Sequence, residues 1–273
     1  MNLKKKFIWF FATLFPHFFV NKAYAILSKP SQFKLLQHER DILAQSKASK
    51  YKFKDFNIQC YKWGTGKKKI LMVHGWEGHA GNFSKLISIL VEKNYSIFAF
   101  DGPSHGASTR GKTSVFDFVN LVEELIKFYK INQIVSHSFG GVAAIGALAR
   151  NPKIQIEKYV AFTIPNKFSD RIFDVSDKVG LPYNVVKKLI KKIEKKENVN
   201  IKDLNVEDFA KQASINKALI LHDVKDRILP FKISKEFSKK WDIAELIEIR
   251  NTGHYKILND PISLKKTVSF LVT

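Results

Sequence analysis

From about residue 70 onward the chain alternates short, wholly apolar runs with stretches of helical period, and this alternation most constrains its fold. The runs Ile70 to Val73, Ile97 to Phe100, Ile134-Val135, Tyr159 to Ile164, Ala218 to Leu221 and Leu246 to Ile249 are predicted strands. Helical patterns are predicted between them, at about 82–92, 115–129, 140–149, 231–240 and 262–271. A strand that is apolar on both faces has to be covered on both faces. The expectation is therefore a mostly parallel sheet with helices on either side, an α/β class fold. A chain of 273 residues suits one such domain with insertions.

Phe53, Ile58, Cys60 and Trp63 fall in strand-like runs that end at the turn signal Gly64-Thr65-Gly66. Residues 1–50 read as an N-terminal helical extension, since Ser31 to Lys50 contains neither Gly nor Pro. The α/β domain is then expected over 51–273, with a helical cap inserted at about 165–216. Inside that insertion Val185, Val186, Leu189, Ile190 and Ile193 recur at helical spacing, with lysines opposite. Such a stripe reads as a packing face.

Lys4, Lys5 and Lys6 precede a run from Phe7 to Phe15 that is apolar except for Thr13, and Ala23-Tyr24-Ala25 has the form of a cleavage site. A signal peptide over residues 1–25 would export the protein. Pro16 and His17 interrupt the apolar run, however, and Asn21 and Lys22 stand beside the supposed cut. Retained amphipathic helices are the favoured reading. They imply a cytoplasmic protein with peripheral membrane contact through residues 1–22 as a variant of it.

The formal charge of +21 raises the question of a polyanion partner. Only 6 of the 46 basic residues are Arg, whereas base-reading surfaces favour the forked guanidinium. No specific nucleic acid is expected. The single cysteine, Cys60, excludes an intramolecular disulfide and a thiolate metal cluster, and its alternating context predicts a buried strand position.

Sites in open α/β sheets form beyond the carboxyl ends of the strands. Those ends read His74-Gly75-Trp76-Glu77-Gly78, Asp101-Gly102-Pro103-Ser104-His105-Gly106, Ser136-His137-Ser138-Phe139-Gly140-Gly141, His222-Asp223-Val224-Lys225-Asp226 and Gly253-His254. With these residues in this order the chain resembles the α/β-hydrolase-fold serine hydrolases over about residues 51–273, and the resemblance implies a mostly parallel, eight-stranded sheet. The stretches His74 to Gly78 and Thr252 to Leu258 resemble those of a group of bacterial, esterase-like members.

Gly102 to Gly106 satisfies G-x-S-x-G letter for letter, yet a loop follows it. A nucleophile elbow needs a strand, a sharp turn and then a helix. Ser138 has that context, with Ile134-Val135 before it and the small residues Gly140 to Ala144 after it. Ser138 is the expected nucleophile and Ser104 a turn residue. The resemblance implies the order serine, acid, histidine. Of eight histidines only His254 lies between the last strand and the last helix, so it is the expected base. Asp226, followed by Arg227-Ile228-Leu229-Pro230, is favoured as the acid over Asp223. The oxyanion would be held by the backbone N–H groups of Trp76 and Phe139.

These expectations describe an enzyme, a carboxylesterase-like serine hydrolase that cleaves a small or acyl ester through an acyl-enzyme without metal or organic cofactor. Thioesterase, lipase and acyltransferase use the same triad and stay open. A non-catalytic protein that binds anionic membrane is the alternative of another class.

Overall fold

The computed structural model describes residues 3–273. Helices α1 (Leu3–Leu14), α2 (Pro16–Leu27) and α3 (Gln37–Ala44) precede the first strand. Strands β1 (Lys47–Phe53), β2 (Phe56–Trp63) and β3 (Lys68–Val73) lead to α4 (Ser84–Glu92) and β4 (Tyr95–Phe100). Then follow α5 (Val115–Tyr129), β5 (Gln133–His137), α6 (Phe139–Arg150) and β6 (Gln155–Phe162). Next come α7 (Phe168–Val179), α8 (Tyr183–Glu197), α9 (Val206–Gln212) and β7 (Ser214–Asp223). The chain closes with α10 (Phe231–Ser238), β8 (Ala244–Ile249), α11 (Gly253–Lys256) and α12 (Pro261–Val272).

The chain divides into two compact units, one of residues 31–166 with 206–273 and the other of residues 3–30 with 167–205. In the larger unit the eight strands form one sheet in the order β1-β2-β4-β3-β5-β6-β7-β8. The pairs β1–β2 and β2–β4 are antiparallel and all others parallel. Alternate strand residues feed two cores. Leu71 and Val73 pack with Phe118, Leu121, Ala143 and Leu148 of α5 and α6. Ile70 and Met72 pack with Leu86, Leu90 and Leu264 of α4 and α12. This two-sided burial is why β3 to β7 read as unbroken apolar runs. Cys60 is buried in β2, and burial pushes its thiol up to about 11.

The N-terminal stretch departs from the helical expectation. Residues 37–44 form α3, but Lys47–Phe53 is a strand whose residues pair with those of β2 from Lys47↔Lys62 to Phe53↔Phe56. The expected boundary at residue 50 thus falls inside β1. A single edge strand that buries only Phe53 fully and Tyr51 partly carries too weak an alternation to show as one. Residues Lys54 and Asp55 turn the hairpin, with Lys54 at φ +49°. The segment expected at 165–216 also divides. Residues 167–205 belong to the smaller unit, whereas Val206 and Ala210 of α9 lie in the core beside α6.

In the smaller unit α2 packs against α8. Val20, Ala12 and Val185 share a buried cluster, and the Lys192 and Lys196 ammonium groups lie over the Tyr24 ring at 5.2 and 4.8 Å. Val185, Val186, Leu189 and Ile193 are buried, so the apolar stripe of α8 is a packing face.

Candidate active site

Every residue singled out at the strand ends lies in the larger unit, beyond the carboxyl ends of β3, β4, β5, β7 and β8. Ser138 stands between β5 and α6 with φ +51° and ψ −121°. A side-chain-bearing residue held there costs about 1–3 kcal/mol, so the surroundings must impose it. They do so from both sides. The Ser138 N–H donates to the Phe162 carbonyl at 2.9 Å, and the Ser138 carbonyl accepts from the Gly141 N–H at 2.9 Å.

The residues around the turn are small because backbones converge there. A Cβ on Gly140 would stand 2.3 Å from the Val73 carbonyl oxygen, and one on Gly75 would touch the Ser138 Cβ at 3.4 Å. Ser136 is tolerated two residues before Ser138 because its buried hydroxyl finds the Tyr159 hydroxyl at 2.7 Å. Ser104 lies elsewhere in function. It occupies a turn with φ +67°, and its hydroxyl donates to the Gly111 carbonyl at 2.9 Å.

The structure brings three of the predicted side chains into one line. His254 Nε2 is 3.0 Å from Ser138 Oγ, and His254 Nδ1 is 2.8 Å from Asp226 Oδ2. The Asp226 carboxylate is buried. Its Oδ1 accepts the Ile228 and Leu229 N–H groups at 2.7 and 3.0 Å. Its Oδ2 also stands 3.5 Å from His222 Nε2. Burial opposes ionisation, but the hydrogen bonds from His222, His254 and the Leu229 amide outweigh it and hold the Asp226 pKa well below the usual carboxylate range. An ionised Asp226 accepts a hydrogen bond from His254 Nδ1–H. The Nε2 lone pair is then left to receive the Ser138 hydroxyl proton.

The loop that carries His254 is tied down by Asp223, the second carboxylate considered for the acid. Its Oδ2 accepts the Thr252 N–H at 2.5 Å, the Thr252 hydroxyl at 2.9 Å and the Gly253 N–H at 3.0 Å. Burial raises the Asp223 pKa, yet these donors and the Lys225 backbone N–H, which Oδ1 accepts at 2.7 Å, carry it below its ordinary value. His137 acts from the other side: its Nε2–H donates to the His254 carbonyl at 2.9 Å. Burial, with the nearby His254, pushes the His137 pKa down to about 3, so it stays neutral. His222 donates from Nε2 to the Leu229 carbonyl at 3.0 Å, and Ser234 donates to its Nδ1 at 2.6 Å. The sequence marks His137 and His222 only as strand-end residues, and Asp223 as the second candidate for the acid. Asp223 and His137 meet partners 29 and 117 residues along the chain, whereas Leu229 and Ser234 lie 7 and 12 residues after His222.

Trp76 and Phe139 meet at ring centroids 5.0 Å apart, and Phe118 lies 5.3 Å from Phe139. Both partly exposed rings give the space beside Ser138 an aromatic wall. Among the described residues no backbone carbonyl accepts the Trp76 or Phe139 N–H. Glu77 turns away to accept the Ser31 N–H at 3.0 Å. His74 ties the turns together by donating from Nδ1 to the Gly75 carbonyl and accepting the Gly102 N–H at Nε2.

The depressed carboxylates set the acid behaviour of the fold. A carboxyl whose pKa is lower folded than unfolded stabilises the fold fully above the ordinary value of about 4, and that stability drains away as pH falls through the folded value. Asp223 and Asp226 both have this sign. Unfolding midpoints measured by circular dichroism are expected to drop steeply below about pH 4. Asp226→Asn is expected to shallow that slope, and an unchanged slope would contradict the assignment.

The family model described as serine aminopeptidase, S33, matches residues 64–203, just over half of the chain. The chain belongs to this family. An uncharacterized hydrolase of Bacillus subtilis, YugF, is 31% identical over 94 residues, which is 33% of this chain and 34% of the relative. The monoglyceride lipase of Rattus norvegicus is 30% identical over 105 residues, 34% of this chain and 35% of the relative. The matched stretch thus spans about a third of these relatives. Among solved structures, a lipase-like protein from Acinetobacter baumannii AYE superposes with a TM-score of 0.65 at 18% identity, over 89% of this chain and 97% of that one. The fold is that of the α/β hydrolases.

Proposed function

We propose that the protein is a serine hydrolase that cleaves carboxylic esters of acyl groups through an acyl-enzyme on Ser138. The observation that carries this reading is the relay Ser138 Oγ to His254 Nε2 at 3.0 Å and His254 Nδ1 to Asp226 Oδ2 at 2.8 Å. A serine hydroxyl is a weak nucleophile alone and needs such a base, oriented by a third group.

In the proposed reaction His254 Nε2 takes the hydroxyl proton as Ser138 Oγ attacks the substrate carbonyl carbon. Negative charge collects on the carbonyl oxygen, where the Trp76 and Phe139 N–H groups receive it. Asp226 stabilises the imidazolium without taking its proton. The carbon–oxygen bond to the leaving alcohol breaks, and His254 Nε2–H protonates that oxygen. Water then attacks the acyl carbon, His254 takes its proton, and the carboxylic acid leaves as Ser138 regains its hydrogen.

The aromatic wall of Trp76 and Phe139 favours an apolar acyl group. The lipase among the relatives supports the same substrate class. Hydrolysis of p-nitrophenyl esters from acetate to decanoate, run beside acyl-CoA thioesters, tests this reading. Turnover of esters with kcat/KM rising beyond acetate is the expected result. Turnover of thioesters alone would make the protein a thioesterase, and turnover of neither would overturn the proposal.

A further inference from the structure

The first 30 residues carry five lysines and no acidic residue. In α1, Leu3, Phe7, Phe10 and Leu14 follow one another at three- and four-residue steps, and all four are exposed. The opposite face holds the half-buried Ile8 and the fully buried Ala12, while the half-buried Phe11 lies beside Phe7 with ring centroids 4.4 Å apart. Pro16 opens α2, which carries the apolar line on through Phe15, Phe18 and Ile26. Phe7 and Phe18 are 64% and 62% exposed, values that packing against the chain itself would not leave. Large aromatic side chains held in water at this density mark an interaction surface.

We propose that α1 and α2 lie in the headgroup region of an anionic phospholipid bilayer and dock the protein peripherally. The exposed lysines Lys4, Lys6, Lys22 and Lys29 flank the aromatic line, and the Lys22 ammonium stands 5.9 Å from the Phe18 ring. Aromatic rings at the acyl boundary with ammonium groups among the phosphates is the arrangement of an interfacial helix. Each helix has 12 residues, about 18 Å at 1.5 Å per residue, against a hydrocarbon core of about 30 Å. No described helix is long and apolar enough to cross a membrane, so the helices lie along the surface. Charge selects the lipid over a second copy of this chain. Two copies meeting through this face would oppose lysines with no carboxylate of the segment to pair them. The inference stands apart from the reaction proposed at Ser138.

The test uses the full chain and sedimentation with vesicles of phosphatidylcholine alone or of phosphatidylcholine with about 30% phosphatidylglycerol. The protein is expected to partition at least about tenfold more strongly onto the anionic vesicles, and salt is expected to weaken the binding. Phe7→Ser/Phe10→Ser/Phe18→Ser is expected to lower that partitioning by at least about tenfold while leaving the melting temperature and hydrolysis of a soluble ester unchanged. Lys4→Glu/Lys6→Glu/Lys22→Glu is expected to abolish the preference for anionic vesicles, and it decides the matter alone if the aromatic variant does not fold. Equal binding by wild type and both variants, or no binding by the wild type, would overturn the proposal. So would a wild-type dimer that the aromatic variant converts to monomer without any vesicle binding.

Discussion

Replacement of Ser138 by alanine is expected to lower kcat for an acyl ester by about ten-thousand-fold or more, with little change in KM. Among the described residues Ser138 Oγ is the hydroxyl within hydrogen-bond reach of His254 Nε2, at 3.0 Å, and it is the group that would carry the proposed acyl-enzyme. The fold should hardly notice. Ser138 is partly exposed, and the two backbone hydrogen bonds that fix its turn do not involve its side chain. A melting temperature within about 2 °C of wild type is expected. Ser104→Ala is the matched control. It removes the hydrogen bond to the Gly111 carbonyl, costs about 1 kcal/mol of stability and leaves turnover intact. The reverse pattern, activity lost with Ser104 and kept without Ser138, would make the literal G-x-S-x-G the site.

Asp226→Asn is the second large effect, an expected fall in kcat of about a thousand- to ten-thousand-fold. The geometry forces the amide into an unproductive orientation. Its oxygen would keep the Ile228 and Leu229 N–H groups that now donate to Oδ1, so its NH2 would face His254. His254 Nδ1 would then become an acceptor and Nε2 would carry the hydrogen, leaving no lone pair for the Ser138 proton. The NH2 would also press on the Nε2–H of His222. Rates measured across pH against a panel of esters check this. A variant within about tenfold of wild type would shift the acid role to another residue, with Asp223 the nearest candidate.

The sequence already carried the sheet and the order of the site because both rest on local patterns. Strands buried on two faces must be apolar where both faces are covered, and residues 70–73, 97–100, 159–162 and 218–221 are. Ser138 outranked Ser104 on context, and the structure gives the reason in backbone terms. The Gly140 Cα sits so close to the Val73 carbonyl that a small residue is obligatory after the turn. Asp226 could be preferred over Asp223 from the proline four residues on. What Asp223 does instead, gripping Thr252 and Gly253, depends on a partner about thirty residues away. His137 escaped for the same reason, since the His254 carbonyl it meets is 117 residues away. Strand β1 escaped because an edge strand with one well-buried side chain has no strong period to read. The pairing of α2 with α8 joins residues some 170 apart, as in the Asn21–Lys192 hydrogen bond, and no local pattern encodes it.

The charge of +21 stands apart from the proposed chemistry, which uses Ser, His and Asp. Its place in this account is local, beside the exposed aromatics of α1 and α2.

The most direct test of the central claim is covalent labelling of the native protein with an alkyl fluorophosphonate, read by intact mass and peptide mapping. One adduct per chain on the peptide containing Ser138, absent in Ser138→Ala and slowed in Asp226→Asn, is the predicted result. No adduct, or an adduct that persists in Ser138→Ala, would contradict it.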